Sequence, residues 1–253
     1  MKFARIALVV MAVTLVSNVA PAAPAPIGFE GAKWIWYAPG FGGDAGSLTA
    51  GVSFFRAELP LPATAEVSSA EVIITCDNMY SLYLNGLGVG ESEANNSAWG
   101  TPERFDVSDQ LKPGRNVMAV EAVNTLPGPA GLIAKLVVTL ADGKQLVFVS
   151  NEKWICVPKE EANWRQPVFD DSHWLDAQVM ADFGAAPWGK PAVPSAAKPA
   201  AKLAGEVHEM SKRVLEEAAK QGWVGPVLEQ DPPADFVWPQ ALVFLGDDCS
   251  LYR

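Results

Sequence analysis

Between residues 52 and 149, apolar and polar positions alternate in short runs broken by turn residues. Phe54-Phe55-Arg56-Ala57-Glu58-Leu59 opens the series, and Val72-Ile73-Ile74-Thr75-Cys76 is a largely β-branched, apolar run. Ser81-Leu82-Tyr83-Leu84 meets Asn85-Gly86, a pair that tolerates positive φ at both turn positions and so signals a tight hairpin, with residues 87–89 as the return strand. Residues 116–123 follow the turn pair Pro113-Gly114, and residues 132–140 and 145–149 flank a second hairpin turn at Asp142-Gly143. No stretch before residue 200 sustains a helical period. Many short strands at hairpin spacing predict an all-β sandwich or barrel rather than a βαβ sheet. Two sheets face to face bury alternate residues, which places Leu82, Leu84, Val117, Ala119, Val137 and Phe148 in the core or at its margins.

The pattern changes on either side of this region. Lys2 and Arg5 precede an apolar run over residues 6–16, too short to span a bilayer, and Ala20-Pro21-Ala22 offers small residues for cleavage. A signal peptide over residues 1–22 and export to the periplasm or beyond are expected, with no membrane attachment after cleavage. Residues 187–201 are rich in Pro and Ala and read as a semi-rigid linker. Val207, Met210, Val214, Leu215 and Ala218 then recur at helical spacing, and Gly222 ends the run. The expected organisation is a sandwich over 27–189, a linker over 190–205, a helix over 206–222 and a tail over 223–253 that begins a further domain.

Composition narrows the chemistry. Hydrophobic residues make up 49% of the chain, ample for a core, and 19 basic against 29 acidic residues leave a net charge of −10. Such a surface repels phosphate backbones and anionic membranes, so nucleic acid is not an expected partner; neutral ligands such as sugars are compatible with it. The three cysteines, Cys76, Cys156 and Cys249, form no C-x-x-C pair, which removes zinc ribbons and thioredoxin chemistry. An odd count leaves at least one thiol free or paired between molecules; a Cys76–Cys156 bridge stays open. The two histidines, His173 and His208, share no motif, and no serine sits in a nucleophile elbow. Asp170-Asp171, Glu160-Glu161 and Asp247-Asp248 are adjacent pairs whose side chains diverge, whereas glycoside hydrolysis needs two carboxyl groups facing one bond. Gly86, Gly88 and Gly90 lack the following helix that a dinucleotide site requires and read as hairpin glycines. Asn95-Asn96-Ser97 matches a glycosylation sequon, meaningful only in a suitable host.

Several phrases taken together resemble a known family. Asp77-Asn78-Met79-Tyr80-Ser81-Leu82-Tyr83-Leu84-Asn85-Gly86 is followed by Val89-Gly90, Trp99, Phe105-Asp106-Val107-Ser108, Leu111-Lys112-Pro113-Gly114-Arg115-Asn116-Val117, Asn124 and Gly128-Pro129-Ala130-Gly131-Leu132. This order resembles the galactose-binding-like β-sandwich domains attached to bacterial α-L-rhamnosidases, and the resemblance implies an all-β antiparallel sandwich of the jelly-roll kind. Trp164, Pro167, Phe169-Asp170-Asp171-Ser172, Trp174 and Ala177 look like a phrase of the sugar-binding domains in family 2 glycoside hydrolases, and the opening Trp34-Ile35-Trp36 fits too. The similarity spans residues 34–188. It covers only the accessory domain; no catalytic barrel follows, so the enzymatic part is not carried over.

The aromatic residues are the binding candidates. Nine tryptophans are present, and sugar rings stack their C–H faces on aromatic planes. Trp34, Trp154 and Trp174 adjoin strand-like or capped segments and are assigned to the core. Trp99 lies in a long polar loop and is the first candidate for ligand binding, with Tyr80 and Asn124 at strand ends flanking the same rim. No cofactor is read from the residues; the resemblance implies structural calcium, to which Asp77 and Asp170 could give oxygens. The expected function is a non-catalytic carbohydrate-binding or accessory module of a larger exported protein, joined to further domains or protein partners. The alternatives are a structural or protein-docking module without a sugar ligand, and the front part of a glycoside hydrolase whose catalytic domain lies beyond this chain.

Overall fold

The structure is a computed structural model that describes residues 27–40, 48–93 and 95–200, and the backbone of a two-stranded ladder between Val243–Phe244 and Leu251–Tyr252. The expected signal peptide and the helix over 206–222 lie outside the described residues. Thirteen strands form the main body: β1 (Lys33–Trp36), β2 (Gly51–Leu61), β3 (Val67–Asp77), β4 (Met79–Leu84), β5 (Leu87–Glu91), β6 (Glu103–Asp106), β7 (Gly114–Asn124), β8 (Gly131–Leu140), β9 (Gln145–Val149), β10 (Ile155–Val157), β11 (Leu175–Asp176), β12 (Gln178–Asp182) and β13 (Lys198–Pro199). The first sheet runs β12-β1-β8-β3-β6-β13, with β9 also on β8; the second runs β11-β10-β2-β7-β4-β5. Every ladder is antiparallel except β13 on β6, which is parallel. The all-β sandwich expected from the strand pattern is the observed fold.

Three apolar layers hold it. Between the sheets, Val72, Ile74, Cys76, Leu132, Ala134, Leu136 and Val138 face Phe55, Leu59, Leu82, Leu84, Met118 and Val120. Outside the first sheet, Phe29, Trp34 and Trp188 cover Ile73 and Ile133; outside the second, Trp164 and Trp174 cover Phe54, Tyr83 and Ala119. Strands buried on both faces read as continuous apolar runs rather than as alternation, which is why all six residues of β4 are buried. Trp34, Trp154 and Trp174 are buried as expected. Leu82 and Leu84 face the core between the sheets as expected; Val117 and Ala119 are buried too, but Met118 and Val120 take the inward phase and Ala119 lies under the outer tryptophans. Val137 departs from the expectation: Leu136 and Val138 point inward and Val137 is half-buried, one residue out of phase. Phe148 packs at the core margin.

Local sequence explains the turns. Asn85 and Gly86 both take positive φ, 54° and 83°, as the tight hairpin between β4 and β5 requires. Residues 160–174 form the outer cover of the second sheet. There Arg56, 1% exposed, donates from Nε to Asp171 Oδ2 at 2.7 Å and from Nη1 to the carbonyls of Trp164 and Gln166. Asp170 instead accepts the Ser172 amide at 3.2 Å, so the adjacent aspartates do diverge.

The Pro/Ala-rich segment expected to be a linker lies against the sandwich as far as residue 200. Lys198 and Pro199 pair with Phe105 and Asp106. Arg104 Nη1 donates to the carbonyls of Pro194 and Ser195, at 3.3 and 3.0 Å, and Lys198 Nζ meets Glu103 Oε1 at 2.6 Å. A proline lacks the N–H that an inner strand needs, and a sheet edge is where it can serve. Cys76 on β3 and Cys156 on β10 belong to the same core but remain unpaired thiols. Burial pushes both up, Cys156 to about 12.

Candidate ligand site

The site is built on β3. Val72, Ile74 and Cys76 belong to the core between the sheets, so the alternate residues Ile73, Thr75 and Asp77 face outward. Ile73 disappears under the tryptophan layer. Thr75 and Asp77 are polar, and each finds partners in the segments crossing above. Asp77 Oδ2 accepts the indole N–H of Trp188 at 2.7 Å, and Oδ1 accepts Asn78 Nδ2 at 2.9 Å. Trp188 stacks on Trp34 with ring centroids 4.5 Å apart. Gly131, opposite Asp77 in the ladder, leaves room for both rings; a Cβ there would lie 3.0 Å from each.

Asn78 ties three segments together. Its Nδ2 also donates to the Asn96 carbonyl at 2.9 Å, and its Oδ1 accepts both the amide and the hydroxyl of Thr125 at 2.8 Å. Thr125 Oγ1 lies 2.8 Å from Asn96 Oδ1 as well. The result is a small network of amide, hydroxyl and carboxylate groups at the end of the sandwich. Its one carboxylate, Asp77, is raised to about 6 by burial, against the pull of the Trp188 N–H.

Trp99 sits beside this network. The segment from Asn95 winds into a short 3-10 turn, Ala98–Gly100, closed by Gly100 N–H to the Ser97 carbonyl at 3.0 Å and Thr101 N–H to the Ala98 carbonyl at 3.0 Å. Its indole is half-buried and packs against the tryptophan layer that holds Trp34 and Trp188. One of the three expected binding residues thus stands at a partly open position. The other two do not. Tyr80 is 1% exposed, part of the core between the sheets, and its hydroxyl donates to Glu103 Oε2 at 2.9 Å. Asn124 is 2% exposed and donates to the Thr49 carbonyl at 3.0 Å. Both were expected at the rim because they stand at strand ends; the inward phase of Tyr80, shared with Leu82 and Leu84, takes it into the core instead.

Asp77 and Asp170, the pair considered for calcium, belong to different networks. Among the described residues no group of three or more His, Cys, Asp or Glu side chains is arranged to hold a metal ion. Sequence reading missed Asn96, Thr125 and Trp188. Asn78 was part of the quoted phrase, but its role as a tie between segments distant in the chain has no local signature.

No family model matches the chain. An α-L-rhamnosidase of Streptomyces avermitilis is 40% identical over 175 residues, which is 66% of this chain and 16% of that protein; the chain therefore spans about a sixth of the relative's length. The crystal structure of the S. avermitilis α-L-rhamnosidase complexed with L-rhamnose superposes with a TM-score of 0.61 at 38% identity, over 66% of this chain and 16% of the other. A lectin from Pleurotus ostreatus in complex with GalNAc superposes with a TM-score of 0.60 at 30% identity, over 68% of this chain and 49% of the lectin. By sequence and by shape, the described body of the chain is a galactose-binding-like β-sandwich domain similar to one stretch of α-L-rhamnosidase.

Proposed function

We propose that this chain is a carbohydrate-binding accessory module, without an active site of its own, that serves an exported multidomain protein. The observation that carries the reading is the placement of a half-buried indole, Trp99, beside a buried network of Asp77, Asn78, Asn96 and Thr125. A sugar needs both parts: a flat apolar face for its C–H groups and fixed polar atoms for its hydroxyls. Two similar proteins of known structure were solved with L-rhamnose and with GalNAc, which supports a monosaccharide-sized ligand. In this reading the tied backbone of the Asn96 segment holds Trp99 as one wall.

The donor set fits calcium in kind. Asp77, Asn78, Asn96 and Thr125 would supply the hard oxygens that calcium takes. When bound there, calcium would supply positive charge to Asp77 and coordination for sugar hydroxyls. Asp170 has no part in this arrangement.

The test is calorimetric titration of the protein with L-rhamnose and with N-acetylgalactosamine, with calcium and with chelator. Saturable heat with either sugar, abolished by Trp99→Ala while the melting temperature changes little, is the expected result. No heat with either sugar under both conditions would overturn the sugar reading and favour a structural module. Early unfolding of Trp99→Ala would place this residue in the core, where removing a tryptophan costs about 3–5 kcal/mol.

A further inference from the structure

We infer that Thr75 is the positioning residue for Trp99: its buried hydroxyl pins the turn that carries the indole to the outer face of β3. The inference rests on the sugar-binding reading for its functional consequence and on geometry for the rest. Thr75 is 1% exposed, two residues before the end of β3, opposite Ile133 of β8. Nothing about a two-sided buried strand calls for a hydroxyl at this place; its neighbours Ile73 and Ile74 are apolar. A buried hydroxyl without partners is costly, so its acceptors define its role.

Those acceptors are both on one turn. Thr75 Oγ1 donates toward the carbonyl of Trp99 at 3.0 Å and lies 3.3 Å from that of Ala98. The Ala98 carbonyl already accepts from the Thr101 amide and hydroxyl, at 3.0 and 3.1 Å. The bond to Trp99 O is therefore the shorter and the less shared of the two, and it lands on the backbone of the residue whose side chain forms the wall. The Asn78 and Thr125 bonds reach the same segment at Asn96, three residues earlier. They hold its start; Thr75 holds the turn itself. A 3-10 turn of three residues has little internal bonding to keep its pitch, so an outside anchor decides where the indole stands.

Thr75→Val keeps the shape of the side chain and removes only the hydroxyl; Thr75→Ser restores the hydroxyl on a smaller side chain. Two measurements on the whole protein separate the claims: amide hydrogen exchange at Gly100 and Thr101, and calorimetric affinity for L-rhamnose and N-acetylgalactosamine. Expected for Thr75→Val are exchange at these two amides at least about tenfold faster, affinity about five- to tenfold weaker, and recovery of both in Thr75→Ser. Unchanged exchange in Thr75→Val would overturn the anchoring role whether or not sugar binds. Faster exchange with unchanged affinity would overturn the positioning role. A wild-type protein that binds neither sugar would overturn the ligand reading, while the exchange data would still decide whether Thr75 anchors the turn.

Discussion

Asp77 is the residue whose environment is most at odds with its charge. Its carboxyl titrates at about 6 in the folded protein because burial disfavours the anion, and near the ordinary carboxylate value of about 4 once unfolded. Between those pH values the folded state holds the extra proton, so stability falls as pH rises from about 4 through 6 and stays lower above. In calcium-free buffer, the melting temperature of the wild type relative to Asp77→Asn should decline over that interval. A difference that does not move with pH would show that the carboxyl is not perturbed. Arg56 presents the opposite case, a buried cation with its counter-ion in place at 2.7 Å. Asp171→Ala should cost about 3 kcal/mol in urea unfolding, because the guanidinium stays buried without its partner. Removing the charge as well, in Arg56→Met with Asp171→Ala, should recover part of that loss. At this scale the sequence was legible only where one residue breaks a pattern. Trp99 stood out as an aromatic in polar company. Arg56 also broke an apolar run, but its partner lies 115 positions away, and no local rule connects them.

Among the elements, the long strands and the Asn85-Gly86 hairpin were readable because they rest on local chemistry, namely β-branched runs and a turn with positive φ. The edges were not. β10 and β11 are three and two residues long and owe their existence to neighbours already in place. The core phase of β8 was misjudged at Val137 because both faces of that strand carry apolar residues, so composition does not say which face is which. The Pro/Ala-rich segment failed in another way: its composition correctly denied it helix and inner strand, yet did not reveal that Arg104 and Glu103 wait at the edge of β6 to receive it. Limited proteolysis should spare residues 191–200 in the wild type. The double variant Arg104→Ala with Lys198→Glu should be cut there readily. Equal resistance in both proteins would mean that these contacts do not hold the segment.

At the scale of the whole molecule, the sandwich uses its two broad faces for packing and one end for polar groups. Tryptophans cover the outside of both sheets, leaving the Asp77 end as the place where side-chain amides and a carboxylate gather. Such a division is what the proposed binding module needs: a polar end apart from the packed faces. No helix among the described residues is long and apolar enough to cross a membrane.

Cys76 and Cys156 lie on opposite sheets with their thiols in the shared core. They give the domain an internal clock. A thiol must reach water and lose its proton before an alkylating reagent can capture it, and both are denied here. Neither sulfur can be reached while the sheets remain closed on one another, so each labelling event records an opening of the sandwich rather than a surface fluctuation. Under native conditions with excess reagent, the two should be modified together, at a rate that follows the unfolding rate as denaturant is added. Peptide-level mass spectrometry of a Cys249→Ser protein over hours would show molecules with both Cys76 and Cys156 modified or neither. A population labelled at Cys156 alone would reveal that the short β10–β11 edge peels away by itself, and that the two sheets part in stages.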